Sequence, residues 1–339
     1  MEKVLVGLSG GVDSAATALI LQQKGYEVFG VCFSFCPGSD PEGARRIAEK
    51  LGIPFRVVSR VRRFENQVIR PFVQTYSEGK TPNPCVECNR KMKFACLLEE
   101  ADRLGIEKVA TGHYAKIRRG ENGRMILSRG KDKGKDQSYF LWKLTQKQLS
   151  RILFPLAEEE KSHILKEAES LVSKEKKESM EICFIPDGDT QGFVAERLSD
   201  TSTGDFVDGE GKVLGKHKGI YRYTIGQRRG LGIAMGERWF VTKILPEKGQ
   251  VVLGKAEKLV TDYLFVKDLR FVSCCKKDLP KEGICFQGRN HGAPIPCTLT
   301  FQNKGVKVQF KTPVRRFAPG QSACFYLGDD LLFGGEIEA

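Results

Sequence analysis

Apolar and polar positions alternate along the first third of the chain in short blocks. Apolar runs at 4–8, 28–33, 55–58 and 108–111 read as strands, and the amphipathic stretches 15–23, 41–51, 62–76 and 91–104 read as helices. Gly52 and Pro54 mark the end of the second helix. Strands alternating with helices predict an α/β fold with a doubly wound parallel sheet, which takes ligands at the carboxyl ends of its strands. The pattern then changes. Residues 115–118 and 125–129 flank Glu121-Asn122-Gly123, a hairpin signal. Residues 146–171 predict a helix rich in Glu and Lys, followed by a solvated charge run at 174–178. From about residue 200 the texture is β. A hairpin is expected at 205–214 around Gly209-Glu210-Gly211, and a strand pair at 238–244 and 250–253. After residue 257 short strands separated by Gly and Pro predict a small β-barrel. Three units follow: 1–197, a small central domain at 198–256, and a barrel at 257–339.

The first strand runs into Ser9-Gly10-Gly11-Val12-Asp13-Ser14 and then a helix. Glycines let the backbone approach a phosphate, and a helix N-terminus aims N–H groups at it. Ser9 and Ser14 add hydroxyls, and Asp13 is a candidate ligand for Mg2+. No Gly-Lys-Ser/Thr follows, so this is not a Walker A loop and brings no lysine to a terminal phosphate. Ser-Gly-Gly-x-Asp-Ser is instead the pattern of enzymes that split ATP between the α and β phosphates.

The formal net charge of +13 favours a polyanionic partner, nucleic acid first. Basic residues cluster at Arg60, Arg62 and Arg63, and at 116–135, 212–229 and 304–316. No apolar run is long enough to cross a membrane, and a strand that begins by residue 4 leaves no room for a leader, so a cytoplasmic protein is expected. In that compartment eleven cysteines suggest metal binding or sulfur chemistry rather than disulfides. Cys85 and Cys88 form a C-x-x-C in a loop pinned by Pro82, Asn83 and Pro84, ahead of a helix, a setting that lowers the pKa of at least one thiol. Cys183 lies in a short apolar run. Cys32 and Cys36, with Cys85 and Cys88, also have the composition of a four-thiolate zinc site.

Taken in order, these residues resemble the tRNA-specific 2-thiouridylases of the PP-loop ATP pyrophosphatase superfamily. The resemblance runs through G-L-S-G-G-V-D-S (7–14), T-P-N-P-x-x-x-C-N followed by K-F (81–94), T-G-H-Y-A (111–115) and K-D-Q-S-Y-F-L (135–141). It continues through I-C-F-I (182–185), Y-T-I-G-Q-R-R-G-L-G (223–232) and P-G-Q (319–321), covering nearly the whole chain. It implies thiolation of the wobble uridine, position 34, of the lysine, glutamate and glutamine tRNAs, with a cysteine desulfurase or sulfur-relay protein as donor and the enzyme a monomer. Gly7, Leu8, Ser9, Gly10, Gly11, Val12, Asp13 and Ser14 would hold ATP, with Phe33 and Gly112 on the adenine side. Cys88 would be the nucleophile and Cys183 the persulfide carrier. Asn83, Pro84 and Cys85 would frame the base, and His113, Lys135, Asp136, Gln137, Arg289, Asn290 and Gln321 would contact tRNA.

The chain departs from the family at Cys85, where many members have aspartate, after Phe33, and at Asn290, where tyrosine is commoner. Cys85 leaves two sulfur routes open. In one, a Cys183 persulfide delivers sulfur and a Cys88–Cys183 disulfide results. In the other, toward which the third cysteine tilts, Cys85, Cys88 and Cys183 hold a [4Fe-4S] cluster. Two other readings compete: an amidotransferase-type synthetase acting on a small molecule, and a non-catalytic RNA-binding or sulfur-relay protein.

Overall fold

The computed structural model describes residues 1–36, 39–172, 182–233 and 236–338. The first strand, Lys3–Gly7, is the axis of a five-stranded parallel sheet. Glu27–Ser34 and then Phe55–Ser59 lie on one side of it, Lys108–Ala110 and then Ile152–Leu153 on the other. Both faces are buried, as the unbroken apolar strands require. Val4 and Val6 pack under the helices Val12–Gln23 and Pro41–Leu51, while Leu5 and Val31 face Phe94, Leu97 and Trp142. Strand order reverses between Lys3–Gly7 and Lys108–Ala110, so the carboxyl ends of these two strands form the crevice where such sheets bind ligands.

The helix expected over 146–171 is broken. Ile152 and Leu153 pair with the sheet edge, and Pro155 cannot donate to a continuing helix. What remains helical is Gln146–Leu149, a 3-10 turn Pro155–Glu158, the helix Lys161–Ala168 and a second 3-10 turn, Glu169–Leu171. The charge run at 174–178 lies outside the described residues.

The central β unit is a four-stranded sheet in the order Phe240–Leu245, Gln250–Gly254, Gly204–Val207, Val213–His217. The last part is a barrel. Val260–Phe271, Gly305–Arg315, Ile295–Gln302, Ile284–Gln287, Ser322–Leu327 and Asp330–Ile337 are neighbours in that order, and the last pairs back onto the first. The expected hairpin, Ala115–Arg119 with Met125–Arg129, does form, but it extends the barrel sheet through Ser128 opposite Asp330. Tyr139, Trp142, Cys324, Tyr326 and Leu331 share one buried cluster with Leu5 and Phe94, so the core of the parallel sheet continues into the barrel. No described helix is long and apolar enough to cross a membrane.

Candidate active site

The loop after Gly7 is tied to itself and leads into a helix with no side-chain cap. Gly10 has φ of +77°, a conformation glycine adopts without strain. Ser14 Oγ accepts from the Ser9 N–H at 3.1 Å and donates to the Gly11 carbonyl at 2.8 Å, tying the loop to itself. Gly11 caps the helix Val12–Gln23 without a side-chain bond, so the first-turn N–H groups keep their anion-binding capacity. Gly112, at the end of the neighbouring strand, lies directly on this turn: a Cβ there would sit 2.8 Å from the Asp13 carbonyl carbon. Asp13 Oδ1 accepts from the Tyr114 hydroxyl at 2.9 Å and from Lys161 Nζ at 2.5 Å.

The thiols gather beyond the second strand. Cys88 is buried at the end of the helix Pro84–Cys88, which continues through a π turn, Asn89–Lys93, into Phe94–Arg103. Cys85 and Cys183 reach solvent. Cys183 is anchored by the buried Phe184 and Ile185, and its carbonyl lies 3.9 Å from Cys36 Sγ. Burial pushes the Cys88 thiol up to about 12, and the Cys85 and Cys183 thiols are raised by the same cause. Cys88 feels both other thiols, and the Lys93 ammonium pulls all three down without overcoming burial. This corrects the expectation of a lowered thiol in the C-x-x-C. Desolvation by burial outweighs whatever the helix start contributes.

The barrel and the 138–143 segment brace this helix from behind. Gln321 Nε2 donates to the Thr81 and Pro82 carbonyls, both at 3.3 Å, and the Thr81 N–H donates to the Pro319 carbonyl at 2.8 Å. Asn83 bonds Tyr139, whose hydroxyl donates to the Ser322 carbonyl at 2.9 Å. Asn89 Nδ2 donates to the Phe140 carbonyl at 3.2 Å, and Lys143 pairs with Glu87.

Three family descriptions tile the chain: tRNA methyl transferase HUP domain over residues 2–187, tRNA methyl transferase PRC-barrel domain over 191–255, and aminomethyltransferase beta-barrel domain over 261–337. The chain is 43% identical to the tRNA-specific 2-thiouridylase MnmA of Geobacter metallireducens, across 100% of this chain and 97% of that one. It is 42% identical to the protein of the same name in Clostridium acetobutylicum, across 99% of each. The chain belongs to the tRNA-specific 2-thiouridylase family. A solved structure described as a predicted subunit of a tRNA methyltransferase from Methanocaldococcus jannaschii is also similar in part. It is 19% identical with a TM-score of 0.35, over 50% of this chain and 76% of that one.

The remaining residues expected at the site differ in their exposure and in what they contact. Phe33 is the penultimate residue of the second strand and stacks on Phe35 with ring centroids 5.7 Å apart. His113 is buried between Phe94 and Phe154, with Nδ1 2.8 Å from Thr111 Oγ1, and burial holds it neutral. Asp136 is buried too: its carboxylate accepts from the Gly130 and Ser138 N–H groups and the Ser138 hydroxyl, pinning its own loop. Gln137 exchanges bonds with the Tyr114 backbone, 3.2 Å through its side chain and 2.9 Å through its N–H. The Lys135 N–H donates to the Asp132 carbonyl at 3.1 Å. Arg289 is exposed, and Asn290 Oδ1 is buried without a hydrogen-bond partner.

The four-thiolate zinc site does not form. Cys32 is buried under the helices covering one face of the sheet, in a different cluster from Cys36 and Cys88. Among the described residues no three His, Cys, Asp or Glu side chains are grouped to hold a metal ion. Three residues that matter escaped the sequence reading. Tyr114 and Lys93 sat unremarked inside quoted motifs, and Lys161 lay in the stretch read as an ordinary charged helix.

Proposed function

We propose that the chain carries out ATP-dependent 2-thiolation of the wobble uridine, position 34, in the lysine, glutamate and glutamine tRNAs. It activates O2 by adenylation, releasing pyrophosphate, and then replaces that oxygen with sulfur, releasing AMP. One juxtaposition supports this most: Glu27–Ser34 runs parallel to Lys3–Gly7, so the carboxyl end that leads to Cys36, beside Cys183 and in one cluster with Cys88, lies next to the carboxyl end that becomes the phosphate loop. An anion site and a set of thiols therefore share one end of one sheet. A synthetase acting on a small molecule has no use for the thiols. A non-catalytic RNA-binding or relay protein has no use for an intact phosphate loop.

The loop at 7–14 would cradle the phosphates with its amides and hydroxyls, which stabilise charge best when fixed in advance. Asp13 Oδ1 is engaged by Tyr114 and Lys161, so Oδ2 is the oxygen suited to Mg2+, which would neutralise phosphate charge when bound. The uridine must leave the stack to reach such a recess. A persulfide on Cys183, supplied by a cysteine desulfurase or relay protein, then attacks C2, and AMP leaves. Cys88 attacks Cys183 Sγ, releasing thiouridine and forming a Cys88–Cys183 disulfide. Because both thiols are held protonated in the free protein, each must lose a proton before it acts. The basic clusters at 60–63, 116–135, 212–229 and 304–316 would hold the tRNA backbone of a monomeric, cytoplasmic enzyme.

A [4Fe-4S] cluster on Cys85, Cys88 and Cys183 is the competing sulfur route, supported by the presence of a third cysteine, Cys85, one turn from Cys88. Their present arrangement does not fit it, since no three such side chains are grouped as a metal site among the described residues. The deciding experiment uses anaerobically purified protein, scored for iron, sulfide and ATP- and tRNA-dependent thiouridine. Iron-free protein is expected to thiolate, with and without Cys85→Ala, and to stop on loss of Cys88 or Cys183. A requirement for about four irons per chain, lost with Cys85, would replace the persulfide route by the cluster. Absence of thiouridine under both conditions would remove the function itself.

A further inference from the structure

Cys36 is a nucleophilic group that the reaction above does not use, yet it lies against the residue that would carry the sulfur. Its Sγ is 3.9 Å from the Cys183 carbonyl. It also shares a buried cluster with Cys88 and with Phe184 and Ile185, which follow Cys183. One row of aromatic rings clamps the two segments together. Phe35, next to Cys36, stacks on Phe64 with centroids 5.5 Å apart, and Phe64 meets Phe184, next to Cys183, edge-on at 5.6 Å. Ser39 Oγ accepts from the Phe35 and Cys36 N–H groups at 3.1 and 3.3 Å, and the Ser39 N–H donates to the Cys36 carbonyl at 3.0 Å. These bonds fix the turn that presents the thiol. Accessibility differs between the two cysteines: Cys36 is buried and Cys183 exposed. A reagent in solution therefore meets Cys183 first, whereas the sulfur partner within reach of Cys36 is inside the protein. Cys36 falls in the stretch after Phe33, where the chain departs from the family pattern.

We propose that Cys36 is a second resolving thiol, which takes over the Cys183 end of the disulfide left by each turnover and returns Cys88 to its thiol form. The inference rests on the persulfide reading of the sulfur step. The reaction is an exchange between a thiol and a disulfide. Cys36 gives up its proton and attacks Cys183 Sγ. A Cys36–Cys183 bond forms, the Cys88–Cys183 bond breaks, and its electron pair leaves with Cys88 Sγ, which takes up a proton. One disulfide replaces another, so the step needs neither an oxidant nor a reductant. Cys88 is then ready for the next uridine. A dithiol reductant in solution reaches the exposed Cys183 sulfur and returns Cys36 and Cys183 to thiols, itself becoming the disulfide.

The test follows a single turnover by the iron-free full chain. Cys183 is loaded by a cysteine desulfurase with cysteine, the donor and all reductant are removed, and ATP and unmodified tRNA transcript are added. Samples are quenched with excess N-ethylmaleimide at mildly acidic pH and digested, and mass spectrometry identifies the linked peptides while thiouridine is measured alongside. The wild-type chain is expected to show Cys88–Cys183 early and Cys36–Cys183 at the end, with Cys88 alkylated. Cys36→Ser is expected to make thiouridine in that turnover and to stop at Cys88–Cys183. A merely structural role for Cys36 would not change which cysteines are joined. Should Cys36→Ser fail to fold, the wild-type time course decides alone. Cys88–Cys183 as the sole linkage in the wild-type chain would overturn the inference and leave the proposed function standing. Thiouridine with neither disulfide, or no thiouridine at all, would overturn the persulfide reading itself.

Discussion

The two ends of the site are prepared to different degrees. At the phosphate end the groups are already placed: Ser14 ties the loop, Gly112 lies on Asp13, and the Asp13 carboxylate has two donors. At the sulfur end only the scaffold is fixed. Gln321, Tyr139, Asn89 and Lys143 hold the segment from Thr81 to Asn89, while burial keeps its thiols protonated. The difference matches the chemistry required. Charge on a phosphate is stabilised by fixed dipoles. A reactive sulfur left as thiolate in the free enzyme would be open to oxidation and to the wrong electrophiles. The thiols are therefore expected to become active only when tRNA and the sulfur donor are in place.

The largest effect should come from separating the ends. Cys88→Ser and Cys183→Ser are expected to abolish thiouridine while pyrophosphate still forms from ATP and tRNA, as chromatography of the nucleosides beside a pyrophosphate assay would show. Loss of ATP cleavage in either variant would mean that the ends are not independent. Next in size is Gly112→Val. Its side chain would run into the Asp13 backbone, with even the Cβ 2.8 Å from the carbonyl carbon. Displacing that turn by about 1 Å is expected to cost about 100-fold in kcat for ATP cleavage. Alkylation of Cys88 by iodoacetamide should proceed at a near-wild-type rate in the same protein. Unchanged ATP cleavage would show that the turn is not held by this contact.

Legibility in the sequence follows the same division. The phosphate end was readable because its requirements are local: Gly10 needs a positive φ, and strand, loop and helix are consecutive. The hairpin at 115–129 was readable from its turn, but not its partner, because Asp330 lies about 200 residues away, a separation no local pattern encodes. The thiol pKa values were misjudged for a related reason. C-x-x-C before a helix reports the local dipole, whereas Cys88 is buried in a cluster with Phe64, Phe72 and Ile185 from other segments. Asp136 stood in a motif associated with tRNA, and its burial shows it pinning the loop it belongs to.

A pH series sharpens the contrast with a smaller effect. Since burial raises the Cys88 thiol to about 12, its thiolate fraction grows with pH throughout the range that the protein tolerates. Alkylation of Cys88 should therefore rise about tenfold per pH unit from 7 to 9. Lys93→Met removes the charge that opposes burial and should slow alkylation at every pH. A plateau below pH 8 would place the thiol near its ordinary value and remove the case for substrate-dependent activation.

The smallest effect concerns the brace. Gln321→Ala removes the two 3.3 Å bonds to the Thr81 and Pro82 carbonyls but no group at the thiols or the loop. Each bond is long, and a typical one contributes about 0.5–1.5 kcal/mol. If Gln321 acts as the barrel's hold on the catalytic segment, thiouridine formation should fall about tenfold, with ATP cleavage and tRNA affinity close to wild type. If it instead contacts tRNA directly, affinity should fall and the loss should disappear at saturating tRNA. A saturation series therefore separates a positioning residue from a binding one. It also tests whether the barrel shapes the sulfur end from behind, as the Thr81 N–H bond to the Pro319 carbonyl suggests.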